Sequence, residues 1–248
     1  MLVPKNIFTF WSGKQNEVVE WCIGNIKNMN PSWNVRVLNE KDLVPTKGIE
    51  NLIVQHKSDW ARLCALEKYG GVWLDATCVC TRGVEAWVDI QSDLLQGFTA
   101  PWDDEVFENW AFATPPNTRL IKEWKNEFEK AINIGFMKYK NQLPAWVRWS
   151  SLYRQCPYLT QHMVLHIILN EQKHMTKTTK SCDGPFKHLC LNDFATVKAF
   201  DMLNSKDFKA PPLIKFRGSM DWENVRTQLN KDSLFYRKNF KKNIIVYK

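Results

Sequence analysis

The alternation of apolar and polar positions sets out most of this chain. Asn6 to Trp11 reads as a first strand, with Ile7, Phe8 and Phe10 apolar, and Ser12-Gly13 breaks it. Val18, Trp21, Cys22, Ile26 and Met29 recur at helical spacing, and Pro31 ends that helix. Trp33 to Leu38 alternates as a second strand. This strand-helix-strand opening predicts a parallel sheet with a crossover helix. Ser58 to Tyr69 predicts a second helix, with Ser58 placed to cap it and Gly70-Gly71 to stop it. Val72-Trp73-Leu74 is a short buried strand that ends at Asp75. Asp93 to Thr99 and Phe107 to Ala113 predict further strands. Asn117 to Ile134 predicts a long amphipathic helix and Tyr158 to Leu169 another. Pro211-Pro212 precedes a short apolar segment, Leu213 to Phe216. No linker or repeat divides the sequence. One α/β domain over residues 1–248 is expected, with a sheet core over 3–115 and helical additions over 116–248.

Composition narrows the classes. At 44% hydrophobic residues the chain has material for a core, and a folded rather than disordered chain is expected. Twelve tryptophans suit core packing, and some could stack on flat sugar or base faces. The net charge of +8 draws anions, among them nucleoside diphosphates, anionic lipid and nucleic acid. Lys231 to Lys248 holds six basic residues and one acid, which is either a solvated face or a contact with a membrane surface or anionic acceptor. The seven cysteines include no CxxC pair. Cys78 and Cys80 would share a strand face, and Cys182, His188 and Cys190 are poorly spaced for zinc, so reduced cysteines in a cytosol-like compartment are expected. Met1 to Lys5 leads into no long apolar stretch, and no run approaches the roughly 20 residues of a membrane span. A cytoplasmic protein, soluble or peripheral to a membrane, is the expectation. No Walker sequence, G-x-G-x-x-G or nucleophile elbow is present, and the His162/His166 pair lacks the glutamate of a metalloprotease motif.

The segment from Ser58 to Thr77 carries the most chemistry. Asp59 and Arg62 lie three apart and share a helix face, in what is predicted to be the first turn. The glycine pair permits a sharp turn, and the chain then emerges from the sheet at Asp75. Ligands of open α/β sheets bind outside the carboxyl ends of strands. A capped helix with a surface ion pair would look the same, so physical reasoning alone leaves both readings open.

Ser-Asp-x-x-Arg followed by Leu-x-x-Tyr-Gly-Gly-Val-Trp-Leu-Asp-Ala-Thr resembles the DXD region of glycosyltransferases of the capsular polysaccharide synthesis family. Those are related to yeast-type mannosyltransferases and the glucosylating clostridial toxins. Val3 to Gly13, Cys22 to Leu38 and Glu108 to Ala113 resemble other family blocks, so the likeness covers about residues 3 to 130. The resemblance implies a GT-A-like nucleotide-diphospho-sugar transferase fold with a mainly parallel central sheet and extra helices. It implies a UDP- or GDP-linked sugar as donor and a glycan or polysaccharide as acceptor. Thr9, Trp11, Ser58 and Asn109 would lie on the donor side, with Trp11 stacked on the base. Asp59 and Arg62 would hold donor sugar hydroxyls, Trp73 would sit near the sugar, and Asp75 would bind ribose and a divalent cation, Mn²⁺ or Mg²⁺. Nothing in a nucleic-acid surface requires strand-end acids, so nucleic acid is not an expected partner.

One position departs from the motif: its second acid, usually the direct metal ligand, is Thr77 here. Thr77 offers a hydroxyl in place of that acid, and the Asp75 carboxylate with phosphate oxygens could still hold a metal more weakly, or the metal could be dispensable. A catalytically weak or inactive nucleotide-sugar-binding protein is therefore the alternative. Basic residues could share the neutralisation of the leaving diphosphate. Lys215 and Arg217, next to Gly218, are candidates, and Asp221 could add a metal ligand; a strand followed by a helix cap at Ser219 or Asp221 is the plainer reading. The related families mostly retain anomeric configuration. An inverting reaction would need a base, for which Asp103, Asp104, Glu105 and Glu108 are candidates.

Overall fold

A computed structural model describes residues 2–100, 103–149, 151–172, 176–180 and 212–216. Its centre is a mixed six-stranded sheet in the order β2-β1-β3-β6-β5-β7. The strands are β1 (Asn6–Phe10), β2 (Asn34–Leu38), β3 (Gly71–Leu74), β5 (Leu95–Ala100), β6 (Asp103–Thr114) and β7 (Thr176–Lys180). Pairs β1/β2, β1/β3 and β5/β7 are parallel, and only β6 runs against its neighbours. The α/β class and the mainly parallel sheet follow the sequence pattern. The opening strand-helix-strand unit is the predicted one, with α1 (Glu17–Met29) as crossover. Asn16 caps α1, its side chain accepting from Val19 N at 3.0 Å.

The helices α2 (Val54–Tyr69), α3 (Arg119–Ile134) and α6 (Thr160–Gln172) build a core on one face of the sheet, with Trp60, Leu63, Trp124, Phe128, Met163 and Val164 meeting Phe8, Trp73 and Phe112. The short helices α4 (Phe136–Asn141) and α5 (Ser151–Arg154) join α3 to α6. On the other face Ile26, Trp33, Val72, Leu74 and Trp110 form a second cluster. A separate antiparallel pair, β4 (Cys78–Cys80) with β8 (Leu213–Lys215), lies just past the end of β3.

The largest differences from the sequence reading lie at α2, β6 and β7. Helix α2 starts at Val54 rather than Ser58, and Ile53 at its N-cap makes no side-chain cap bond. Tertiary packing extends it: His56 is buried against Phe136 with ring centroids 4.6 Å apart, which draws in a turn the capping signal did not mark. Asp59 and Arg62 therefore lie inside the helix and not in its first turn. Strand β6 starts four residues early, because the hairpin with β5 closes at Ala100 and Asp103 through a polar run. Strand β7, Thr-Lys-Thr-Thr-Lys, has no apolar alternation to reveal it and stands at the sheet edge.

The turn between α2 and β3 requires glycine. Gly71 has φ +112°, and a Cβ there would lie 2.3 Å from Asn6 O. Gly71→Ala is expected to destabilise the fold by about 2 kcal/mol or more, seen as a lower denaturant midpoint.

Candidate active site

The end of β3 delivers Asp75 to the carboxyl edge of the sheet, where its N–H donates to Trp110 O at 2.8 Å. Three donors converge on its carboxylate. Trp73 Nε1 reaches Oδ1 at 2.9 Å and Arg62 Nη2 reaches the same oxygen at 3.2 Å. Lys215, at the end of β8, donates to Oδ2. Arg62 also lies over the Trp73 ring, 5.0 Å from its centroid. Burial by itself would raise the Asp75 carboxyl, but the Lys215 and Arg62 charges and the bonds from Lys215 and Trp73 outweigh it and hold it below the usual carboxylate range. Burial would likewise lower Lys215, and Asp75 reverses that and raises it.

This pair is ionised across the neutral range. The stability due to Asp75 is present above its unfolded pKa and is lost as pH falls through its depressed folded value. That due to Lys215 is present below its unfolded pKa and is lost as pH rises through its raised folded value. The stability gap between wild type and Lys215→Met is expected to be flat near neutrality and to shrink at both extremes, as denaturant titrations at acid, neutral and alkaline pH would read.

Behind Asp75 lies a buried polar lattice. Arg62 Nη1 donates to Asn109 O at 2.8 Å and Gln161 Oε1 at 3.3 Å, and sits 3.1 Å from Asp59 Oδ1. Arg62 Nη2 also donates to Ser58 Oγ at 3.3 Å. Asn109 Nδ2 donates to Asp59 Oδ1 at 3.2 Å and Gln161 Oε1 at 2.6 Å, and Gln161 Nε2 donates to Asp59 O at 2.6 Å. His56 Nδ1 lies 3.4 Å from Asp59 Oδ2. Ser58, Asp59, Arg62, Asn109 and Asp75, named from sequence, are thus one connected group. Asp59 and Arg62 are buried within it. Gln161 and His56 complete the lattice and were not singled out in the sequence. Gln161 is marked only as a polar residue on a largely apolar helix with partners distant in the chain, and His56 lies in a polar run, Gln55 to Asp59, that does not set it apart.

The other named residues divide. Trp73 is fully buried, so its indole supports Asp75 from behind. Thr9 is also fully buried, one residue past the Phe8–Trp73 pair, and its Oγ1 has no hydrogen-bond partner. Trp11 is half-buried and packs with Val19, Ile23 and Ala76, which puts it beside the Asp75-Ala76-Thr77 turn. Thr77 is buried: its hydroxyl donates to Phe216 O, and its own carbonyl accepts from Phe216 N at 2.9 Å. Arg217 and Asp221 lie outside the described residues, as do Gly218, Ser219, the Cys182/His188/Cys190 trio and Lys231 to Lys248. Among the candidate bases Glu105 is exposed, while Glu108 is buried 3.7 Å from His162. Neither Glu108 Oε1 nor His162 Nδ1 has a hydrogen-bond partner. Among the described residues no group of three or more His, Cys, Asp or Glu is placed to hold a metal ion, Cys22, Cys64, Cys78, Cys80 and Cys156 are free, and no helix is long and apolar enough to cross a membrane.

Sheet and site together define an α/β protein with a charge-compensated centre at the carboxyl edge of β3. The chain belongs to the capsular polysaccharide synthesis protein family, whose sequence profile matches residues 2–181. It is 28% identical over 170 residues to the O-glycosyltransferase braB of Annulohypoxylon truncatum, a stretch that is 54% of this chain and 40% of that protein. It is 26% identical over 153 residues to the probable glycosyltransferase FCK3 of Fusarium pseudograminearum, 50% of this chain and 38% of that one. The chain thus spans 38% to 40% of the length of these curated relatives. Among solved structures it is similar to the apo form of the glycosyltransferase GlyE of Streptococcus pneumoniae, at 10% identity and a TM-score of 0.49 over 91% of this chain and 62% of that one. It is also similar to a glycosyltransferase involved in glycosylation of the major capsid of PBCV-1, at 12% identity and 0.47 over 90% and 98%.

Proposed function

We propose that this chain is a glycosyltransferase that moves a sugar from a UDP- or GDP-linked donor to a glycan or polysaccharide acceptor, with retention of configuration. The observation that carries this is the convergence on Asp75 of Arg62, Trp73 and Lys215 at the carboxyl end of a strand, where open α/β sheets take their ligands. In this reading the fold is GT-A-like. Residues 3–115 form the nucleotide-sugar-binding core of one domain, and residues 116–248 add helices and the acceptor side, with Lys215 reaching the donor site from that part. The compartment is the cytoplasm, and the basic stretch Lys231 to Lys248 carries charge complementary to an anionic membrane surface.

In the reaction the bond between the anomeric carbon and the phosphate oxygen breaks, and its electron pair stays on the diphosphate. The acceptor oxygen bonds to the anomeric carbon and its proton is released. The charge that leaves with the diphosphate must be met in place. Family resemblance offers Mn²⁺ or Mg²⁺ for that task, and this chain also offers Lys215. Asp75 anchors the donor and the buried lattice holds Asp75 and Arg62 in position. Trp11 offers a face for the base, and Trp11→Ala is expected to weaken nucleotide binding by about 1–3 kcal/mol in calorimetry, the scale of a lost stack. An unchanged dissociation constant would remove Trp11 from the site.

Release of nucleoside diphosphate from a panel of UDP- and GDP-sugars tests the enzyme reading. Turnover of one donor supports it. Binding without turnover supports the alternative, an inactive nucleotide-sugar-binding protein, which Thr77 in place of an acid favours. The anomeric coupling in the product's NMR spectrum decides retention. An inverted product would turn attention to Glu108 and its neighbour His162.

A further inference from the structure

Whether a divalent cation fits this site depends on which oxygens could bind it. Mn²⁺ and Mg²⁺ take hard oxygen ligands. Both oxygens of Asp75 already accept from cationic or N–H donors: Oδ1 from Trp73 and Arg62, Oδ2 from Lys215. The hydroxyl at the second motif position, Thr77, is buried and donates to Phe216 O. With the return bond from Phe216 N, Thr77 clamps the end of β8 in register. Lys215 is the residue before Phe216, so this clamp is what sets the ammonium on Asp75. The residue that replaces the motif's second acid holds the strand that brings in a fixed cation. A dication bound to Asp75 would sit between an ammonium and a guanidinium. The donor set of the described residues does not fit a divalent ion.

We infer that the Lys215 ammonium stands where such enzymes place a metal, so that the chain binds the diphosphate of its donor without a divalent cation. This rests on the nucleotide-sugar reading above. The Lys215 side chain is 17% exposed and that of Arg62 4%, so Lys215 is the cation of the two that a ligand reaches more readily. An ammonium has three donors and can serve a carboxylate and a phosphate oxygen together. Held by Asp75, it meets the phosphate charge with no reorganisation at the moment of reaction. Arg62, fixed behind by Asp59, Asn109 and Gln161, keeps Asp75 ionised and aimed at Lys215.

Calorimetric titration of UDP and GDP into the full chain, in EDTA and again in Mn²⁺, tests this. The dissociation constant of whichever nucleotide binds is expected to differ by less than about twofold between the two conditions. Lys215→Met is expected to weaken binding on the order of tenfold or more in EDTA, and Lys215→Arg to restore most of it. The melting temperature of each variant reports whether it folds. Binding in Mn²⁺ that EDTA abolishes overturns the inference and leaves the nucleotide-sugar reading standing, and that comparison needs no variant. Unchanged binding by a folded Lys215→Met also overturns it. Failure of both nucleotides to bind in either condition overturns the nucleotide-sugar reading, and the inference falls with it.

Discussion

Asp75→Asn is expected to lower donor turnover on the order of 10²-fold or more while the circular dichroism spectrum stays that of wild type. The amide keeps the shape of the side chain, and its carbonyl can still accept from Trp73 Nε1. It loses the charge that holds Arg62 on one oxygen and Lys215 on the other. Both cations then relax from the positions in which they would meet a diphosphate. Substrate binding weakens as well as turnover, because the two cations meet the diphosphate already in the ground state and more strongly as its leaving charge develops in the transition state. Wild-type turnover by Asp75→Asn would remove the carboxylate from the chemistry.

Arg62→Met is expected to cost about 3–5 kcal/mol of stability, the scale of breaking a buried ion pair from one side. Arg62 is 4% exposed and touches Ser58 and Asp59 of α2, Asp75 at the end of β3, Asn109 of β6 and Gln161 of α6. Without it Asp59 keeps His56 and Asn109 but loses its guanidinium partner. Arg62→Lys is not expected to rescue, since one ammonium cannot span acceptors that a planar fork reaches on two nitrogens. Denaturant unfolding reads the effect. A loss under about 1 kcal/mol would mean that the lattice is solvated rather than structural.

Much of this is legible in the sequence, for reasons of range. The β1-α1-β2 unit, α3 and β3 are each specified by neighbours within a few residues, so apolar spacing and glycine or proline breaks locate them. Asp75 is legible because it follows a short apolar strand after a glycine turn. What spacing does not show is set by contacts far apart in the chain. The extra turn of α2 depends on His56 meeting Phe136, 80 positions later. Gln161 joins Asp59 and Asn109 across 102 and 52 positions. The sequence marks Lys215 only as a cation near the phosphates, and its pairing with Asp75 across 140 positions depends on the bonds from Thr77 to Phe216. Thr77 itself reads in sequence as a weakened metal ligand, whereas in the fold it is a clamp.

A thermal-shift screen of the whole chain with UDP, GDP and their common sugar conjugates decides whether Asp75 anchors a nucleotide-sugar site, since a ligand that binds only the native state raises the melting temperature with its concentration. One nucleotide family is expected to raise it selectively, and Asp75→Asn is expected to lose the shift. No shift with any of them, or the same shift in Asp75→Asn, would contradict a nucleotide-sugar site built on Asp75.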